Sequence, residues 1–186
     1  MIIAQAKRKE NMAEYLLYMW QVEDIIRAFN LDIDLIQANI IDRYGVDNET
    51  KAKIRDWYES LIKMMQLEDK KESGHLQINN NTIIRLTDLH LQLLDSHKFP
   101  RYEAIYYQTL PIIVELRAKT GSDEQTSEIE TCFNALYGTL LLKLKGQEIS
   151  PDTLLAVSQI SQFLGTLSAL YLKDEETPLF GNEEEY

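Results

Sequence analysis

The sequence predicts an all-α fold, a single-domain antiparallel bundle of six or seven helices. Three observations predict it. Apolar residues recur every three or four positions, as in Met12, Tyr15, Met19, Val22, Ile26 and Phe29, which is the period of one helical face. No alternating strand pattern of useful length and no fixed-period repeat interrupts them. The seven glycines and four prolines sit where helices should start or stop, and the short connections between them favour antiparallel neighbours.

The first helix is expected over about residues 5–28. Its basic triplet, Lys7 to Lys9, followed by YLLYMW, has the look of a targeting segment. Glu14 and Glu23, however, bracket only Tyr15 to Val22, and no small-residue cleavage site follows. A signal peptide wants about 7–15 apolar residues and such a site. A spanning helix wants about 20, which no window of the chain is expected to supply. The opening stretch therefore reads as a core helix with a solvated basic start.

A second helix is expected at about 32–44, ending before Gly45. Asp47 or Asn48 then caps a helix at about 49–73, with Ile54, Trp57, Tyr58, Leu61, Met64 and Met65 as its stripe. Lys70 and Lys71 in its last turn offset the negative end of the helix dipole, and Gly74 suits the left-handed cap. Helices at about 81–97 and 100–119 follow. Pro111 lies inside the second of these, where it removes a hydrogen bond and crowds the Tyr107 carbonyl, so a kink or break is expected there. Near Gly121 the run GSDEQTSEIE supplies a stop and then caps for a helix at about 124–145. The last helix, at about 151–173, is announced by GQEISPDTLL: Gly146 ends one helix, Ser150 caps the next and Pro151 takes its first turn. Gly138 and Gly165 fall inside helices, at a cost of about 1 kcal/mol each against alanine, which a close helix crossing would explain. The domain is expected to span 1–173. An acidic, solvated tail covers 174–186, carrying Asp174, Glu175, Glu176 and Glu183 to Glu185.

Length and charge bound the function. A chain of 186 residues can bury roughly 70% of its unfolded surface. With 19 basic and 30 acidic residues the net charge is −11, which opposes non-specific binding to phosphates or anionic lipid. The single cysteine, Cys132, excludes an internal disulfide and fits a reducing, cytoplasmic setting.

Candidate chemistry is sparse. On a helical wheel His90 falls in the middle of the face formed by Ile83, Leu86, Leu93 and Leu94, with His97 on that face two turns on. A histidine there is a base, a ligand, or a neutral imidazole tied to a core partner; the last is favoured because buried polar groups are usually paired. His90 and His97 would stand about 10.5 Å apart along a helix, too far for one zinc ion with bonds of about 2 Å. Glu72 and His75 have the Glu-x-x-His spacing of di-iron bundles, but one copy interrupted by Gly74 does not make such a site. Glu23 either faces a pocket shared with His90 or forms a surface pair with Arg27 one turn on; the pair, worth about 0.2–0.5 kcal/mol, is favoured. Cys132, beside Ile129 and Leu136, reads as a small buried hydrophobe. Trp20, Trp57 and the Tyr106–Tyr107 pair read as core before they read as pocket. No catalytic, cofactor or metal constellation emerges.

The stretches IIAQAKRKENMAEYLLYMWQVEDIIRA, HLQIN, LTDLHLQLL, FPRYEAIYYQTLPIIVELR, ETCFNALYGTLLLKLKGQEIS and AVSQISQFLGTLSALY resemble a bacterial family found mainly in Bacteroides relatives, catalogued as domain of unknown function 4924. The resemblance runs from Ile2 to about Tyr171 and implies a bacterial protein of one domain; it carries no activity, cofactor or catalytic residue. The leading expectation is therefore a non-enzymatic cytoplasmic protein acting through protein–protein contacts, as a homo-oligomer or an adaptor. The alternative is a small-molecule binder or enzyme with an inter-helix pocket near His90, with Glu23 and Tyr106 as further candidates. Nucleic-acid binding through Lys7 to Lys9, Lys51, Lys53 and Arg55 is the weakest reading, given the net acidity.

Overall fold

A computed structural model of the chain describes residues 2–120 and 126–180. Among these it is all-α, with no strand: α1 (Ile2–Glu10), α2 (Met12–Ala28), α3 (Ile33–Asn39), a 3-10 turn (Ile41–Arg43), α4 (Asn48–Leu67), α5 (Gln77–Ser96), α6 (Pro100–Thr120), α7 (Glu128–Leu144) and α8 (Pro151–Glu176). Eight helices thus replace the six or seven expected. The additional one comes from Asn11, which divides the first expected helix. Its Oδ1 accepts the Ala13 amide at 2.9 Å, and the Met12 amide donates to Ser168 Oγ at 2.6 Å, so the helical ladder restarts there.

Helix ends with their own caps fall where the sequence places them. Asp47 accepts the Thr50 amide and Ser150 the Thr153 amide, with Pro151 in the first turn. Gly146 at φ 71° ends α7, with the Gln147 amide on the Leu142 carbonyl and the Gly146 amide on Lys143, the Schellman arrangement. Other ends move. The helix expected to reach residue 73 stops at Leu67, because Asp69 takes the left-handed conformation at φ 56° and the Lys70 amide bonds the Met65 carbonyl. The second expected helix shortens to α3, capped by Asp32, and tightens into the 3-10 turn. The stop expected at Gly121 lies outside the described residues, as do residues 181–186 of the expected tail; α8 itself continues to Glu176, three residues into that segment.

Pro111 does not break its helix: α6 continues through it. Pro111, Tyr107 and Gln108 lie on the exposed side of α6, where water reaches the freed carbonyl. The neighbouring Gln108 carbonyl accepts from Gln159 Nε2 at 2.7 Å. The expected close crossings at Gly138 and Gly165 are also absent, since a Cβ built on either would meet no atom within 4 Å.

The chain divides into two compact units, Met1–Arg8 with Glu14–Thr82, and Lys9–Ala13 with Ile83–Tyr186. In the first, α3, the 3-10 turn and α4 pack together, and Leu16, Trp20, Ile26, Ile36, Tyr58 and Met65 are fully buried. In the second, α6, α7 and α8 pack on one another around Leu93, Ile113, Phe133, Phe163 and Leu167. Each such side chain contributes about 1.5–3 kcal/mol by leaving water.

Candidate functional site

Among the described residues, each unit buries titratable side chains beside a histidine. In the second unit, His90 is 3% exposed, on the core face of α5. Its Nδ1 lies 2.6 Å from the hydroxyl of Tyr102, in the first turn of α6. The rings of Tyr106, one turn further on, and of Phe163 in α8 meet the imidazole edge-on. Burial among these rings lowers the His90 pKa to about 4, because an imidazolium there would lose its hydration. The ring is therefore neutral at pH 7. Its Nε2 faces Glu128 Oε2 at 3.9 Å.

Glu128 opens α7, at the positive end of that helix dipole. Its Oε2 is buried with no hydrogen-bond partner among the described residues. Tyr106 hydrogen-bonds the same side chain; burial first, and then this carboxylate, pushes the Tyr106 hydroxyl well above its ordinary range. Burial likewise raises Tyr102. It pushes the Cys132 thiol, fully buried one turn beyond Glu128, up to about 12. At neutral pH the hydroxyls and thiol keep their protons and the imidazole stays uncharged, so the cluster is a polar seam within a core. Tyr106 belongs to this seam, whereas Tyr107 is 59% exposed.

In the first unit the structure corrects the surface reading of Glu23. The residue is fully buried, and Arg27 approaches it no closer than 4.0 Å. Oε2 accepts from His75 Nδ1 at 2.6 Å, and Oε1 accepts the Leu76 amide at 3.0 Å and Asn79 Nδ2 at 2.7 Å. The His75 ring stacks on Trp20, with centroids 4.0 Å apart and planes 9° from parallel. Arg27 donates to the carbonyls of Lys70 and Gly74, and Glu68 accepts the Gln77 amide at 2.6 Å. Two carboxylates thus serve the amides that open α5, where the helix has no partners of its own. This explains why α5 begins at Gln77, four residues before the sequence expectation. Glu23, His75 and Arg27 fasten the loop between α4 and α5.

His75 was passed over in the sequence because only its spacing to Glu72 drew attention, and Glu72 is exposed. The signal for the actual pair was a glutamate at the edge of an apolar stripe, which named Glu23 but no partner. His97 leaves the apolar face altogether: it follows the end of α5 in the left-handed conformation at φ 50°, 3.5 Å from Glu103. Among the described residues no group of histidine, cysteine, aspartate or glutamate is arranged to hold a metal ion. Of the basic residues weighed for nucleic acid, Lys53 pairs with Glu49, Arg55 with Asp34 and Glu59, and Lys7 with Glu14.

The largest departure from expectation is α8. Residues 153–172 hold no charged side chain, and α8 is long and apolar enough to cross a membrane by length and composition, contrary to the expectation that no window would be. Yet 28% of its most apolar window is buried. Ile160, Phe163, Leu164, Leu167, Ser168 and Tyr171 face the core, while Leu154 and Leu155 are 42% and 70% exposed. On the outer side, Gln162, Gly165, Ala169 and Leu170 join Phe99 and Pro100 of the α6 start to line an open apolar groove of about 520 Å³.

A family model described as "Domain of unknown function (DUF4924)" matches residues 1–177. No curated protein and no solved structure matches the chain.

Proposed function

The chain belongs to this family of unknown function, DUF4924, and from its geometry we propose that it is a non-enzymatic protein of a bacterial cytoplasm that works by holding another protein chain against α8. The observation that carries this reading is the outer face of α8. A helix with twenty consecutive uncharged residues and most of its apolar window outside the core presents surface that a water-exposed protein ordinarily covers. Further support comes from the buried Glu23 carboxylate, whose oxygens serve three donors of its own unit. His90 is enclosed by aromatic rings, which counts against the alternative of a ligand pocket beside it. The ion-paired lysines and arginines count against nucleic acid. A reducing compartment suits Cys132, a lone thiol.

The test is photo-crosslinking in the native host, with a benzophenone amino acid placed at Leu155 and, as control, at exposed Lys63 of α4. Discrete protein adducts from position 155 and none from position 63 are expected. An absence of adducts from position 155, in a protein that stays folded, would overturn the proposal. Recovery of the chain in the membrane pellet would do the same.

A further inference from the structure

Resting on that reading, we propose that the chain covering α8 is a second copy of this protein, in a two-fold pair that seats Leu155 of each copy in the groove of the other. Four observations converge on it. The first is shape. Leu155 projects from α8 at 70% exposure, and about 18 Å further along the same helix, at 1.5 Å per residue, the groove opens around Gly165 and Ala169. Its 520 Å³ is several times the roughly 150 Å³ that accommodates a benzene ring in an aliphatic cavity. One helix thus carries both the projection and the recess.

The second is spacing. Leu155, Ser158, Gln162, Gly165 and Ala169 follow one another by three and four residues, which is the seam of one helix packed along another. In an antiparallel pair centred on Gln162, midway between 155 and 169, Leu155 of each copy falls opposite Ala169 of its partner. That is the self-complementarity of an isologous interface.

The third is Gly165. A glycine inside a helix costs about 1 kcal/mol against alanine, and beyond the neighbouring backbone of α8 itself nothing lies within 4 Å of where its Cβ would be. Packing within the chain does not use the missing side chain, whereas an incoming leucine does.

The fourth is charge. Copies with a net charge of −11 repel, and the face of α8 between residues 153 and 172 is where they can approach without adding to that repulsion. At its margins one pair of charges is complementary, although Asp174 and Glu175 follow closely after Leu172 in the same helix. Arg101 lies on the rim of the groove, and Asp152 lies one turn before Leu155 in the exposed first turn of α8, so seating the leucine brings opposite charges together.

Sedimentation equilibrium on the untagged full chain, from about 1 to about 200 µM, is expected to show a reversible rise from 21.7 kDa to twice that mass, a pairing governed by mass action. Arg101→Glu and Asp152→Arg should each weaken pairing at least fivefold while leaving the circular dichroism unchanged. An equimolar mixture of the two variants should pair again, because each mixed pair places Glu against Arg at one margin and Arg against Asp at the other. Gly165→Leu, which fills the groove, should abolish pairing. A monomer across the whole range overturns the proposal, as does a mixture that pairs no better than its components, a filament in place of a pair, or binding of α8 to neutral phospholipid vesicles with no pairing. The two readings fail separately. Crosslinks from position 155 to a different protein would remove the second copy and keep the docking face, whereas no crosslinks at all would remove both.

Discussion

At the scale of single residues, the two buried clusters respond to acid and to substitution in ways that can be calculated in sign. His90 has a pKa of about 4 in the folded chain against about 6.5 when solvated. Between those values the unfolded chain binds more protons than the folded one, so stability is full above pH 6.5 and declines as the pH falls towards 4. The loss reaches about 3 kcal/mol. Urea unfolding at pH 7 and 4.5 should therefore show a fall in stability that His90→Gln reduces by most of that amount. An unchanged fall in the variant would assign the acid sensitivity to other groups. Glu23→Gln replaces an acceptor that serves three donors with a group carrying its own N–H bonds. Stability should drop by about 3 kcal/mol, in the range for breaking a buried charged hydrogen-bond set, and exchange of the Leu76 and Gln77 amides should accelerate. The core-facing position of His90 was legible in the sequence because its helix is regular. The Glu23–His75 bond joins residues 52 apart through an irregular loop, and no local period records such a pairing.

At the scale of elements, the cost of each irregularity depends on its surroundings. Gly138 sits at an exposed position of α7 with open space where a Cβ would be, so Gly138→Ala should stabilise by up to about 1 kcal/mol. For a chain of this size that corresponds to roughly 2–4 °C in calorimetric Tm. Ser150→Ala removes the cap of α8 and should cost about 1 kcal/mol, read by the same calorimetry; a change below a few tenths would mean that Pro151 alone fixes the helix start. The starts of α4 and α8 were legible because each carries its own acceptor, Asp47 or Ser150; α7 opens at Glu128, four residues after the expected start. The start of α5 and the division at Asn11 were not, since their amides are met by Glu23, Glu68 and Ser168 from other elements.

At the scale of the whole molecule, charge and apolar surface act against each other. The all-α class was legible from periodicity alone, because period does not depend on which helix packs against which. The uncovered face of α8 was not legible, since its uncharged run looks the same in sequence whether it ends in a core or outside one. For the pair proposed above, the repulsion between two chains of −11 should outweigh the attraction of two exposed Arg101–Asp152 contacts, each worth about 0–1 kcal/mol. Raising the salt from about 20 to about 200 mM shortens the Debye length from about 20 to about 7 Å and should tighten pairing several-fold by sedimentation. Weaker pairing at high salt would show that the marginal contacts dominate instead.

Cys132 gives the molecule a clock. It is the chain's one thiol, enclosed in the core of the second unit, and its proton is held so firmly that almost no thiolate forms at neutral pH to attack a disulfide reagent. Modification must await an opening of α7, so the rate at which the native protein takes up one equivalent of reagent counts those openings in a sample that needs no engineered label. When opening and closing are fast relative to labelling, the ratio of this rate to that of the unfolded chain gives the free energy of opening. That one sulfur thereby reports how often the core around it is breached.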